Sequence, residues 1–423
     1  MSAKQFLIWW AVASLVFVAV AVLFDVIIDP YLVFGTPRIA GLNLWKPAAV
    51  EQEAMAKVYG LARADPRTII LGSSRPDIAL NPESPAWPRE MRPVYNLAFA
   101  GAGIFAVERS LEQVLSTKSP RYVLIGLDFE DFLVDPKSAA PASPPLSDFE
   151  RRLSITRNGR PNPDLTRQRI KDYVTASLSL SALGDSLWTV LANRQGTSPD
   201  VTSSGRVTEA GFQQVVSADG EYNLFAQKDK IFFREYSVGH RVIPDAWQPN
   251  PALHELRAML DMCAARGISV ILFIQPEHVD RLEGWDLLDY WNAIEAWKRE
   301  LASIVARYQQ NQDAVRLWDF SGYNPYTEET IPQPGDRTSR LTWFWESVHY
   351  TEKLGELMLT RMLRTEPSPF GILLTEQTLE NDLVSMRSAR ARFQQNRPQD
   401  IKRLEDLYRE TAQADGPRRT AAR

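Results

Sequence analysis

The stretch Thr68-Ile69-Ile70-Leu71-Gly72-Ser73-Ser74-Arg75-Pro76-Asp77 decides how this chain is read. Its first four residues are a short apolar run, the pattern of a strand buried on both faces. Gly72 then permits a tight turn, and the sequence becomes polar at Arg75-Pro76-Asp77. A serine on such a turn presents its hydroxyl at the C-terminal edge of the sheet, where open α/β sheets bind ligands. Far downstream, Trp345-Glu346-Ser347-Val348-His349-Tyr350 supplies an acid and a histidine three residues apart. Together the two segments predict a Ser-His-acid site for hydrolysis or acyl transfer. Each has a plainer reading alone: a helix-capping serine in the first case, a surface ion pair near a helix start in the second.

Working outward, five apolar runs read as strands: Thr68–Leu71, Pro93–Leu97, Tyr122–Leu127, Ile268–Ile274 and Ala314–Trp318. Helical spacing fills the intervals at Ile104–Leu115, Ala252–Ala265 and Trp285–Tyr308, with Gly267 as a stop signal. Strands alternating with helices predict a doubly wound, mainly parallel sheet. The alternation breaks from about Pro136 to Trp247. Here Pro141, Pro144 and Pro145 mark a loop, a helical stretch covers Leu165–Asn193, and a segment rich in Gly, Ser and Thr follows. This reads as an insertion or cap. After Pro367 and Pro369, Ile372–Glu410 is a charged, helical tail ending in the basic Arg418, Arg419 and Arg423. The expected organisation is an anchor over 1–28, an α/β domain in two parts over 29–136 and 247–365, an insertion over 137–246, and a tail over 366–423.

The 423 residues, 44% hydrophobic with 12 Trp, supply a sizeable core. A net charge of −4 gives no basic face for nucleic acid. A single cysteine, Cys263, excludes an internal disulfide framework and a cysteine metal cluster, and its helical surroundings make it a small core residue. No metal-ligand spacing appears, and no cofactor is expected. Phe6 to Phe24 is apolar except for Ser14. Nineteen helical residues span roughly 28 Å, close to a bilayer's hydrocarbon thickness. A cleavable signal would be shorter, and Val22-Leu23-Phe24 continue past the nominal Ala19-Val20-Ala21 site, so an uncleaved anchor is expected. Lys4 before the span, with Asp25 and Asp29 after it, places the body outside the cytoplasm.

The order strand–Gly-x-Ser, strand–Asn with a later Gly, strand–Gly, and acid-x-x-His resembles the SGNH hydrolase superfamily. The nearer likeness is to membrane-anchored members that act beside polysaccharide or teichoic-acid acylation machinery, such as the D-alanine transfer protein and the alginate acetylation proteins. It covers roughly Thr68–Asp131 and Ile268–Leu363. The resemblance implies a three-layer α/β/α fold around a five-stranded, flavodoxin-like sheet. It implies Ser74 as nucleophile, His349 as base, Glu346 as orienting acid and Gly101 as an oxyanion-hole glycine, the last within Asn96-Leu97-Ala98-Phe99-Ala100-Gly101. The third block, normally Gly-x-Asn-Asp, falls on Gly126-Leu127-Asp128-Phe129, where an ionised Asp128 cannot donate the asparagine's hydrogen bond. Arg75, Asn96, Asp128 and His278 are expected to contact substrate.

The resemblance further implies an esterase or O-acyl/acetyltransferase acting on cell-envelope polysaccharide or exopolysaccharide, with a membrane-bound acyltransferase as a partner. A non-catalytic accessory protein of the same fold is the rival that Asp128 favours. Other residues compete for the roles. Gly184-Asp185-Ser186-Leu187 spells the superfamily's best-known tetrapeptide, but within a helical pattern and out of order. Asp319 at the end of the fifth strand is a second candidate for the orienting acid. His240 and His254 have no evident partners. Trp343, Phe344, Trp345, Tyr350, Tyr323 and Tyr326 either stack on sugar rings or pack in the core.

Overall fold

A computed structural model describes residues 2–134, 146–237, 250–309, 314–364 and 370–414. The proline loop at 141–145, His240, Pro367, Pro369 and the basic C-terminal end lie outside them. The chain opens with α1 (Ala3–Ile28), α2 (Pro47–Glu51) and α3 (Glu53–Arg63). β1 (Thr68–Leu71), α4 (Ser74–Ala79), β2 (Val94–Asn96), α5 (Ile104–Thr117) and β3 (Tyr122–Leu127) follow. Five helices come next: α6 (Ser147–Glu150), α7 (Leu165–Leu178), α8 (Leu180–Gln195), α9 (Ala210–Asp219) and α10 (Glu221–Tyr236). The alternation resumes with α11 (Pro251–Ala264), β4 (Ser269–Ile274), α12 (Val279–Leu287), α13 (Trp291–Gln309) and β5 (Val315–Asp319). The chain then closes through α14 (Glu352–Leu363), β6 (Ile372–Leu373), α15 (Glu376–Asn396) and α16 (Pro398–Ala414).

The sheet has the order β2-β1-β3-β4-β5-β6. Its first five strands are parallel; β6 runs antiparallel to β5, with Ile372 opposite Asp319. The sheet therefore has six strands, not the five expected. A two-residue strand carries no periodicity, and Ile372-Leu373 falls within the stretch expected as a helical tail. From β1 the chain goes to β2 on one side, then returns to β3 on the other. The crevice outside the ends of β1 and β3 is thus the topological switch point, the usual ligand site of doubly wound sheets. Two helices expected as continuous are broken. Asp289, at φ 63°, ends α12 before α13 begins, and Ser179 separates α7 from α8. Apolar spacing runs through both breaks and hides them.

The chain forms two compact units. One comprises Met1–Asp65, Glu112–Lys118 and Leu146–Gly211; the other comprises Pro66–Leu111, Ser119–Pro145 and Phe212–Arg423. The stretch read as one insertion is therefore divided, with α7 and α8 in the first unit and α10 in the second. The tail is no separate appendage either: α15 packs on α13, and α16 on α10 and α12.

In the first unit, α1 packs along α7 and α8. At 26 residues it is long and apolar enough to cross a membrane. The carbonyls that end it are capped: Asn43 Nδ2 donates to Ile27 O at 3.1 Å, and Lys46 Nζ donates to Ile28 O. Asp29 then gathers the backbone N–H groups of Val33, Phe34, Gly35 and Thr36. In the second unit, Ile70, Leu124, Ile271 and Phe273 of the sheet pack with Leu354, Met358 and Met362 of α14 in one apolar cluster. Each such side chain contributes about 1.5–3 kcal/mol by leaving water. That rigid layer holds the loops at the switch point.

Candidate active site

The first half of the site is built by the turn after β1. Gly72 has φ +144°, and a Cβ there would lie 2.7 Å from Pro76 Cγ, so only glycine fits. Ser73 caps α4, its Oγ accepting from the Arg75 N–H. Ser74, the first residue of α4, stands at the mouth of the switch point. The second half is the loop before α14, closed by Trp345 N–H donating to His349 O at 2.9 Å and Thr351 N–H donating to Trp343 O at 2.8 Å. Inside it the Glu346 carboxylate accepts the N–H groups of Val348 (2.9 Å) and His349 (3.2 Å), and it also bonds the imidazole Nδ1. One carboxylate thus shapes the loop and orients the ring. His349 Nε2 lies 2.6 Å from Ser74 Oγ.

Glu346 and His349 are both buried, which separates them from a surface ion pair. Burial pushes the Glu346 carboxyl up, but His349, Lys228 and the Val348 N–H outweigh it and hold it at about 2. Burial pushes the His349 imidazole below its ordinary value of 6.5, against the pull of Glu346; Lys228 and Arg75 act in the same direction as burial. At neutral pH the pair is therefore a carboxylate and a neutral imidazole. Nδ1–H donates to Glu346, and the Nε2 lone pair accepts from the serine hydroxyl. Phe212 lies against the imidazole with ring centroids 5.1 Å apart and stacks on Trp345.

Ser74 and His349 open into a cleft of about 260 Å³ that Gly101 and Asp128 also line. Gly101 has φ +69°. Among the described residues, neither its backbone N–H nor that of Ser74 has a protein acceptor. The opposite wall is one face of α10, with Lys228, Ile231, Phe232, Glu235 and Tyr236.

Beside the serine, Arg75 is buried among three carboxylates. Its guanidinium lies 2.9 Å from Asp128, 2.8 Å from Glu130 and 3.0 Å from Glu277. Asp128 Oδ1 also accepts from Gln275 Nε2 at 2.6 Å, and Gln275 Oε1 accepts from Tyr350 at 3.0 Å. The residue in the place of the expected asparagine is therefore the anchor of Arg75. One guanidinium cannot neutralise three carboxylates. Burial, with Glu130 and Asp128 nearby, pushes the Glu277 carboxyl up to about 7 against Arg75 and Arg281.

Two residues expected to contact substrate do not line this cleft. Asn96 is fully buried, its amide donating to the carbonyls of Pro76, Asp77 and Leu80 while its oxygen accepts from Ala98 N–H. It braces α4 from beneath. His278 caps α12 through Nδ1, which accepts from Asp280 N–H at 3.2 Å, and its Nε2–H donates to Glu329 O at 2.7 Å. Both nitrogens are used, and the ring is buried. Asp319 is paired with Lys298 at 2.6 Å, away from His349. Ser186 lies buried in the middle of α8, in the other unit. The aromatics Phe344 and Tyr350 are core residues, and Tyr323 donates to Glu283. Phe232 and Tyr236 are the aromatic side chains on the cleft wall. Lys228, Phe232 and Tyr236 recur at helical spacing, the one signal that could have marked α10 as a wall. Among the described residues no cluster of His, Cys, Asp and Glu forms a metal site.

No protein-family model and no curated protein matches this chain.

Proposed function

We propose that this chain is a serine-dependent acyl-ester enzyme of the SGNH type, an esterase or O-acyltransferase built on a three-layer α/β/α domain. The observation that carries the reading is the buried relay in which Glu346 holds the imidazole and Nε2 meets Ser74 Oγ at 2.6 Å. Ser74 Oγ attacks the ester carbonyl as its proton passes to His349 Nε2. The negative charge formed on the carbonyl oxygen is met by the unengaged N–H groups of Ser74 and Gly101. Collapse expels the alcohol, which takes the proton from His349, and leaves an acyl-Ser74 ester. Water or a sugar hydroxyl then attacks with His349 again as base, releasing the acid or a new ester and restoring the serine.

The apolar α1, the small polar cleft and the likeness to anchored SGNH proteins support a short acyl group, such as acetyl, on cell-envelope or exopolysaccharide. They support an extracytoplasmic site and a membrane-bound acyltransferase as partner. The pairing of Asp128 with Arg75 gives that aspartate a structural role that is compatible with an enzyme. A fluorophosphonate probe tests the reading. Labelling should vanish in Ser74→Ala and persist in Ser186→Ala; a folded wild type that takes no label refutes it, as does labelling that survives loss of Ser74.

A further inference from the structure

We propose that the bent pair α7–α8 is embedded in lipid beside α1, its outward face in contact with acyl chains. The two helices meet at Ser179 with a bend of 56°. Ser179 Oγ donates to Thr175 O at 2.7 Å and accepts from Ala182 N–H at 3.0 Å, so the break leaves fewer backbone groups bare. That is a requirement of any helix break placed in hydrocarbon.

The side chains of α8 are distributed inside out. Its buried face is small and polar: Ala182, Ser186, Thr189 and Ala192. Its exposed face carries Leu180, at 89% exposure, with Leu187, Trp188 and Leu191. On α7, Ile170, Val174 and Leu178 are exposed in the same way. In water each large side chain so placed forgoes the gain of burial. In a bilayer the arrangement is the favourable one, because small residues let helices approach while large apolar ones meet lipid.

The small face is turned to α1, where the Asp25 carboxylate lies against Ser186. Along α1, Ser14, Ala21, Asp25 and Ile28 are covered or partly covered, whereas Phe17, Val20 and Leu23 are exposed. Because α7 and α8 pack on α1, their exposed apolar residues lie beside those of α1, and lipid that flanks the first also reaches the second. From Tyr173 to Asn193 the sole charged residue is Asp185, which accepts from Tyr31 at 2.5 Å. Arg167, Arg169 and Lys171 at one end and Arg194 at the other suit anionic headgroups.

The test uses the full chain in phosphatidylethanolamine–phosphatidylglycerol vesicles. A nitrobenzoxadiazole label is attached at Leu180→Cys, Leu187→Cys or Leu191→Cys, with Phe17→Cys on α1 and Val384→Cys on α15 as references. Native Cys263 is buried, with its thiol pushed up to about 12, and stays unlabelled. The three α8 labels should match Phe17→Cys, with blue-shifted emission quenched at least twofold more by doxyl lipid than by iodide; Val384→Cys should show the reverse. Iodide quenching at the α8 positions would place them in water and overturn the proposal. Protection from both quenchers, with cross-linking to a second copy or another protein, would also overturn it. Trp188→Phe gives a label-free check, since it should remove part of the tryptophan quenching caused by brominated lipid.

Discussion

Glu346→Gln is the sharpest test of the relay, because it keeps the side chain's size and changes only its charge and one acceptor. The carboxylate serves three N–H donors: the imidazole Nδ1, Val348 N and His349 N. If the amide oxygen faces the imidazole, its NH2 points at the Val348 N–H and strands a buried donor, costing about 1–3 kcal/mol. If the amide flips, Nδ1 must accept, the ring proton moves to Nε2, and Ser74 loses its base. In either case the imidazolium formed in the transition state faces a neutral group. A charge pair about 4 Å apart at an effective dielectric near 20 is worth roughly 4 kcal/mol, or about a thousandfold in rate. The assay is kcat/KM on p-nitrophenyl acetate with the fluorophosphonate labelling rate, on protein whose circular dichroism matches wild type. A folded variant within tenfold of wild type would show that Glu346 does not orient the base. Stability gives a second reading. Glu346 sits at about 2 in the fold against an ordinary 4.5, so its ionised form stabilises the protein above pH 4.5 and that contribution is lost as pH falls through about 2. The stability gap between wild type and Glu346→Gln should narrow over the same interval.

Activity needs neutral His349, and burial holds that imidazole below 6.5; the acid limb of kcat/KM should lie below pH 6.5, and a limb at or above pH 7 would contradict the assignment. Glu277, raised to about 7, contributes stability that is full below its ordinary 4.5 and lost as pH rises through 7. Glu277→Gln should therefore flatten the dependence of melting temperature on pH between 5 and 8, whereas curves parallel to wild type would count against a proton held there. Arg75→Met leaves the buried Asp128 and Glu277 and the half-buried Glu130 without their cation and should cost about 3–5 kcal/mol in denaturant unfolding; an unchanged midpoint would mean that the cluster is solvated.

How much was legible depended on whether a residue's role is local. β1, β3 and β4 were readable because strands covered on both faces are continuous apolar runs, and their ends matched to within a residue. Ser74, Glu346 and His349 were readable because a strand-glycine-serine turn and an acid-x-x-His loop are each short enough to carry their own geometry. Asn96 and His278 lie away from the cleft lining for the opposite reason. Each stands at a strand end as a contact residue would, yet its hydrogen bonds go to carbonyls and N–H groups of its own scaffold, and those partners are set by tertiary structure. The pairing of Arg75 with Asp128 joins the start of α4 to the end of β3, 53 positions apart, and no spacing rule encodes it. The α10 wall was hidden because its residues fall in the irregular part of the expected insertion, where little beyond the spacing of Lys228, Phe232 and Tyr236 marks a helix or the sheet edge it will cover.

Asp128→Asn asks whether the missing donor matters. Both polar contacts of the aspartate with Arg75 and Gln275 land on Oδ1, and an asparagine oxygen can accept both. The substitution therefore replaces Oδ2 with an NH2 on a residue that lines the cleft and that also bonds the Ser73 side chain, supplying a donor where the resemblance expects one. A single oxyanion donor contributes about 10²–10³ in rate where it is well aimed. It also removes one of three carboxylates from around Arg75, which favours negative charge forming nearby. Both effects act in one direction, so esterase turnover by Asp128→Asn should equal or exceed that of wild type, and Glu277 should titrate lower because one repelling neighbour is gone. A drop of more than tenfold in a folded variant would mean that the ionised aspartate itself is required. Arg75, held by that charge, would then be the group that meets the substrate, and the two backbone N–H groups would suffice for the oxyanion.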